Sequence, residues 1–288
     1  MKKSETIIKM TVNKKNDDPI NSDFSLMRHF PNVLRARGYR LYLDNNKRLV
    51  DLWLNGGAAV LGHTPANLLR EIKNTASRGL YAPYPHFSQG RLIKALLKIF
   101  PGYSFRLYAA PPPELTGLFH SGVAKLWRPY VNENSPFAVD NTRIIIPVIS
   151  GIQTWRDGLP FGLCAAAAKN EELFLNFPRN DNLSPILLAA AARGAHDLLA
   201  SAQRAKPNFP RVMKALKSSI WKRQGIYIYY KGTDRALSLN KEDWISLHNK
   251  FLEAGFLFPP DPAYPLILPG EMSDGEEAKL AAALVFKV

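Results

Sequence analysis

Two apolar runs limit what this chain can fold into more than any other feature. RIIIPVIS (143–150) and FGLCAAAA (161–168) are almost free of charge, and a strand without a polar face has to be covered on both sides. Strands of that kind sit in a sheet between layers of helix, so the pattern reads as an α/β fold. Between the two runs lies GIQTWRDGLPFG (151–162), a turn followed by Gly-Leu-Pro-Phe-Gly leading into the second strand.

The rest of the chain supplies the helices and further strands. YRLYLD (39–44) and KRLVDLWL (47–54) alternate in polarity, and Asp44-Asn45-Asn46-Lys47 between them predicts a hairpin turn. The next element is a helix, ANLLREIKNTASRG (66–79), with Thr64 as its N-cap, Pro65 in its first turn and Gly79 at its end. A second helix runs from Phe87 to Phe100, and SFRLYAA (104–110) is a strand cut off by Pro111-Pro112-Pro113. Residues 114–130 read as one amphipathic helix, and an Ala/Leu-rich helix extends from Pro185 to about Lys206 with Ser184 as N-cap. Beyond Pro207, helices at 210–219, 240–255 and 273–285 alternate with the strands GIYIYYKG, FLFP and LILP. The organisation expected is an N-terminal arm over 1–38, a large α/β region over 39–206 and a small C-terminal α+β domain over 207–288.

A chain of 288 residues with 46% hydrophobic content can bury a full core. Its longest apolar runs fall well short of the roughly 20 residues that cross a bilayer, so no membrane insertion is expected. The lysines at 2, 3, 9, 14 and 15 precede no apolar stretch of the kind a secretory signal needs. The single cysteine, Cys164, excludes an internal disulfide and suits a reducing cytoplasm, and no Cys/His spacing suits a metal. The net charge of +14 is the one unusual bulk property, and it attracts anions. The face carrying Arg211, Lys214, Lys217, Lys222 and Arg223, beside Phe209 and Trp221, is the candidate for an anionic partner; Arg204 and Lys206 precede it.

The order of these pieces carries a resemblance. From Leu41 to Ile72 the chain shows a hairpin ending in Asp51, which opens a Leu-rich strand, and then Gly62-His63-Thr64-Pro65 opening a helix. This resembles the start of the class III aminotransferases, the fold-type I pyridoxal-phosphate enzymes that include glutamate-1-semialdehyde aminomutase, with one residue rather than two between His and Pro. The resemblance resumes at Arg143–Ala168, at Ser184–Ala200 and from about Arg211, where FLEAGFLFPP fits the family's Gly-hydrophobic-hydrophobic-Pro strand. It implies a cut-down pyridoxal-phosphate-dependent transferase fold with a reduced large-domain sheet. It also implies a homodimer.

The resemblance further implies what is missing. Family members carry most of the large-domain sheet in the interval that here spans only Ala110 to Arg143. Where they hold the cofactor phosphate on free amides, this chain has Pro111-Pro112-Pro113, which supply no N–H. The Asp that pairs with the pyridine nitrogen belongs to the absent segment. The Schiff-base lysine should stand seven residues before Pro160, at Gln153, whose amide nitrogen is neither basic nor nucleophilic. Arg156 stays protonated and cannot replace it, and Lys169 lies beyond the next strand. FPRNDNLSP (177–185) lacks the family's phosphate-binding Thr. The expectation is therefore a catalytically inactive homologue with no bound cofactor and no catalytic residue, serving as a binding, scaffold or regulatory protein. Asn55, His63, Gln153, Trp155 and Arg156 are candidates for lining a residual cavity. His63 also reads as a capping or packing residue, and Trp155 and Arg156 as fillers of the cofactor space. Two other readings stay open: an active transaminase with a non-standard site, and a nucleic-acid or polyanion-binding module.

Overall fold

In the computed structural model, the described residues are 26–132, 135, 137–139, 143–149, 151–201, 208–217, 219–231 and 241–285. The lysine-rich stretch up to residue 25, and Arg204 and Lys206, lie outside them.

The chain begins with an antiparallel meander of β1 (Val33–Arg37), β2 (Arg40–Leu43) and β3 (Arg48–Asp51). Leu41, Leu43, Leu49 and Val50 are buried, which fixes the register, and the hairpin turns where Asn46 takes a left-handed φ of 60°. Two helices follow, α1 (Ala66–Ala76) and α2 (Ser88–Ile99). Thr64 does not cap α1; the N-cap is Pro65, held extended at ψ 121°, with no side-chain cap bond.

The central sheet is built from β4 (Ser104–Tyr108), β5 (Ala124–Trp127), β6 (Ile144–Pro147) and β9 (Cys164–Ala168), in the order β4-β9-β6-β5. β5 and β6 run parallel, and β9 is antiparallel to both β4 and β6. Every residue of β6 and β9 is buried, as their unbroken apolar composition requires. A short hairpin of β7 (Thr154–Arg156) and β8 (Leu159–Phe161) stands between them. Its turn residues Asp157 and Gly158 have φ of 51° and 77°, matching the two-residue turn that Asp-Gly favours.

One face of the sheet packs Ile145, Ala165 and Ala167 against α2 and against α4 (Pro185–Ala200). The alanines belong to the same core as Ala191, Ala192 and Ala195 of α4. The other face packs Ile144, Ile146, Cys164 and Ala166 against Leu115 of α3 (Pro113–His120). The single helix expected over 114–130 is thus two elements: α3 ends at Ser121, the chain turns at Gly122 with φ 76°, and residues 124–127 become β5. Pairing with β6, a contact distant in sequence, decides this against the local helical pattern.

The C-terminal segment holds α5 (Pro210–Lys217), β10 (Trp221–Gln224), β11 (Tyr227–Tyr230), α6 (Lys241–Ala254), β12 (Phe256–Leu257), β13 (Leu266–Ile267) and α7 (Asp274–Leu284). β10, β11 and β13 form one sheet, whereas β12 pairs parallel with β3 and completes the N-terminal sheet in the order β1-β2-β3-β12. The two ends of the chain therefore share a core, in which Val50, Leu52 and Leu54 meet Phe256, Phe258 and Ile267. Arg40 of β2 reinforces the junction by binding Glu276 of α7 through two hydrogen bonds, of 2.7 and 3.0 Å. Ser273 and Glu276 close the α7 N-terminus as a capping box. Among the described residues no helix is long and apolar enough to cross a membrane.

Candidate functional site

β6 ends at Pro147, and the chain leaves the sheet and doubles back to begin β7. Gly151 makes the return, with φ 146° and its N–H on the Ala58 carbonyl at 3.2 Å. Gln153 then turns inward and is only 3% exposed. Its Oε1 accepts from the Ile149 N–H at 2.7 Å, and its Nε2 donates to the carbonyls of Leu163 at 3.0 Å and Pro147 at 3.4 Å. One donor and two acceptors around the amide fix which end is oxygen. The side chain thereby ties the end of β6 to the start of β9.

The same residue is clasped from the N-terminal sheet. The Asn55 amide donates to the Gln153 carbonyl at 2.7 Å, and the Trp155 indole N–H donates to the Asn55 carbonyl at 2.8 Å. Asn55 can do this because Leu54, Asn55 and Gly56 all take left-handed φ values of 45°, 49° and 63°. Non-glycine residues adopt that region only when held there. Asp51, 2% exposed, holds it: Oδ1 accepts from the N–H groups of Trp53 and Leu54, both at 2.8 Å. Oδ2 of Asp51 binds His63 Nε2 at 2.8 Å, and the His63 N–H donates to the Gly38 carbonyl. His63 is thus a brace for Asp51, twelve residues away.

Trp155 is buried, with its edge against Tyr264 at 5.8 Å between centroids, and Tyr264 in turn meets Trp53. The indole lies directly over Gly56, where a Cβ would come within 2.5 Å of it. Arg156 takes no part in this group: it is exposed, its guanidinium 4.8 Å from the Phe161 ring centroid. Of the five residues singled out in the sequence, the structure joins Asn55, Gln153 and Trp155 by direct hydrogen bonds. His63 connects to them through Asp51, and Arg156 stands apart.

At the same end of the central sheet, on its edge strand, β4 runs into the proline triplet. The Ala109 N–H donates to the Asp181 carboxylate at 2.8 Å, and the Leu107 N–H to the Asn180 side chain at 2.9 Å. Pro113 begins α3, and Glu114 adds a carboxylate to its first turn. The positive end of this helix is therefore compensated by the chain's own acid. No spacing in the sequence pointed to Asp181, which arrives from 72 residues away. Asp51 was legible only as the end of a hairpin, without its role.

The candidate cationic face is dispersed. Lys214 and Lys217 are exposed on α5, and Lys222 is exposed on β10. Arg223, the next residue along β10, is partly buried on the opposite side of that strand. Arg211 donates to the Asp274 carbonyl at 3.0 Å, and its N–H is held by Glu277 at 2.6 Å. Burial pushes the Cys164 thiol up to about 12. Among the described residues no group of three or more His, Cys, Asp or Glu is placed to hold a metal.

No family model matches the chain. An uncharacterized protein of Borreliella burgdorferi is 27% identical over 262 residues, covering 88% of this chain and 90% of the relative. An uncharacterized protein of Treponema pallidum is 39% identical over 84 residues, 29% of this chain and 27% of the relative. Among solved structures, an omega-transaminase from Sphaerobacter thermophilus aligns with TM-score 0.62 and 10% identity, over 88% of this chain and 90% of its own. An ornithine aminotransferase from Plasmodium yoelii aligns with TM-score 0.59 and 12% identity, over 88% and 92%. A glutamate-1-semialdehyde aminomutase from Pseudomonas aeruginosa aligns with TM-score 0.56 and 11% identity, over 88% and 87%. At these identities the likeness is one of fold: the chain is similar in fold to the class III aminotransferases among these structures, consistent with the cut-down pyridoxal-phosphate-dependent transferase fold that the sequence resemblance implied.

Proposed function

We propose that this chain is an aminotransferase-fold protein without aminotransferase activity, working as a binding, scaffold or regulatory protein. The observation that carries the reading is Gln153. A side chain with no nucleophilic nitrogen stands at the expected lysine position, and its amide oxygen and both amide hydrogens are engaged by the backbone. The residues present do not fit pyridoxal phosphate. Trp155 and Tyr264 pack the interior beside Gln153, and the amide nearest the phosphate end is taken by Asp181. A phosphate there would face two carboxylates, Asp181 and Glu114, and three prolines without N–H groups. An amino-donor assay with excess pyridoxal phosphate tests the reading. No turnover above the protein-free rate is expected, and transamination by the unmodified chain would overturn it in favour of an active enzyme with a non-standard site.

The protein is further proposed to work in the cytoplasm as a homodimer. A buried, unreactive thiol suits a reducing compartment. Val33 and Leu34 are 44% and 71% exposed on the edge strand β1, apolar surface of the kind that association covers. Light scattering should give twice the chain mass at micromolar concentration, and a monomer would refute the dimer.

A further inference from the structure

The segment joining α1 to α2 holds three aromatic rings in solvent. Tyr81 is 72% exposed, Tyr84 58% and Phe87 61%, at a regular three-residue spacing broken only by Ala82, Pro83, Pro85 and His86. Rings left this open forgo much of the burial that stabilises a core side chain. The charge around them is one-sided. Residues 66–99 contain six cations, Arg70, Lys73, Arg78, Arg91, Lys94 and Lys98, and one carboxylate, Glu71. All six cations are exposed, and Glu71 is paired with Arg91 at 3.0 Å. Cation and ring meet at Phe87: the Arg91 guanidinium lies 5.9 Å from its centroid, and the His86 and Phe87 rings are 4.1 Å apart. His196 on α4 is shifted towards its neutral form by burial first and then by Arg193, Lys98 and Arg91, against an opposing contribution from Asp197.

We propose that this face binds single-stranded nucleic acid, with bases stacked on Tyr81, Tyr84 and Phe87 and phosphates following the cations of α1 and α2. A single strand offers what the surface lacks, flat π faces for the rings and a regular line of negative charge for the cations. A duplex offers the charge but keeps its base faces stacked. A second copy of this chain is disfavoured here, because a two-fold contact would oppose two sets of six cations. The face lies apart from Gln153 and from α5 and β10, so the inference stands whether or not the proposed loss of catalysis holds.

Fluorescence anisotropy with the full chain and a labelled oligothymidylate tests it. Binding should weaken steeply between about 50 and 200 mM salt. Changing Tyr81→Ser, Tyr84→Ser and Phe87→Ser together should weaken it by about 100-fold or more, since each stacked ring contributes several-fold to more than tenfold. The rings are exposed, so circular dichroism and the melting temperature should not change. Changing Lys94→Glu and Lys98→Glu should reduce the salt slope by about two. Equal affinity for a duplex of the same sequence, or full oligonucleotide binding by the triple serine variant, would refute the proposal. So would phosphatidylserine vesicles, or a second copy of the chain, binding through these rings while the oligonucleotide does not.

Discussion

Replacing Gln153 with leucine removes its bridge while keeping nearly the same side-chain reach. In the Gln153→Leu variant the buried Ile149 N–H loses its acceptor at 2.7 Å, and the Leu163 carbonyl loses its donor at 3.0 Å. Each orphaned group costs about 1–3 kcal/mol when buried, and the long contact to Pro147 adds little. The expected loss is therefore about 2–6 kcal/mol, a large share of the roughly 5–15 kcal/mol that holds a domain together. Urea unfolding followed by tryptophan fluorescence measures it, since Trp155 lies two residues away. Gln153→Glu separates shape from hydrogen bonding: an ionised carboxylate keeps the acceptor but has no donor for the Leu163 carbonyl. Burial raises its proton affinity in the folded state, so the variant should be least impaired at low pH and lose stability as pH rises through its folded-state pKa. A loss below about 1 kcal/mol in Gln153→Leu would mean that the bridge contributes nothing, and the structural account of this residue would fail.

His248 is fully buried in α6 against Phe258, with neither ring nitrogen hydrogen-bonded, and burial lowers its pKa from 6.5 to about 4. Its neutral form therefore supports the fold above pH 6.5, and about 3 kcal/mol should be lost as pH falls from 6.5 to 4; His248→Phe should flatten the denaturation midpoint over that window. The bonds from Arg40 hold the Glu276 carboxyl down from 4.5 to about 2, so its contribution is present above pH 4.5 and lost as pH falls towards 2. Glu276→Gln, which also weakens the capping box, should cost about 1–2 kcal/mol at neutral pH and make acid unfolding less steep. Gly56→Ala would force a methyl into the Trp155 indole at a φ of 63°; we expect a loss of about 2 kcal/mol or more by urea unfolding, and an unchanged midpoint would show the indole free to move.

The parts of the fold legible in the sequence are those fixed by local pattern. β6 and β9 declare themselves by unbroken apolar runs, and α2, α4, α6 and α7 by their periodicity and boundaries. β5 and β10 were not legible for the same reason in two forms. AKLW carries on the helical pattern of the residues before it, and WKRQ is mostly polar, so each becomes a strand only by pairing with β6 or β11. Thr64 looked like a cap, yet the extended Pro65 took that position. At the site, Gln153 could be singled out by counting back from Pro160, as the resemblance directs. What Gln153 does instead could not, because Asn55 reaches it across 98 residues and Asp181 reaches β4 across 72.

The absorbance spectrum tests most directly the proposal that this chain binds no pyridoxal phosphate. The purified protein should be colourless, and after incubation with pyridoxal phosphate and dialysis it should show no stoichiometric band in the visible. A lysine imine conjugated to the pyridine ring produces that band, and Gln153 supplies no nitrogen for it. Gln153→Lys should also fail to become an aminotransferase, because the amides displaced by Pro111, Pro112 and Pro113 are not restored. A yellow protein carrying one equivalent of cofactor as an internal aldimine would contradict the account.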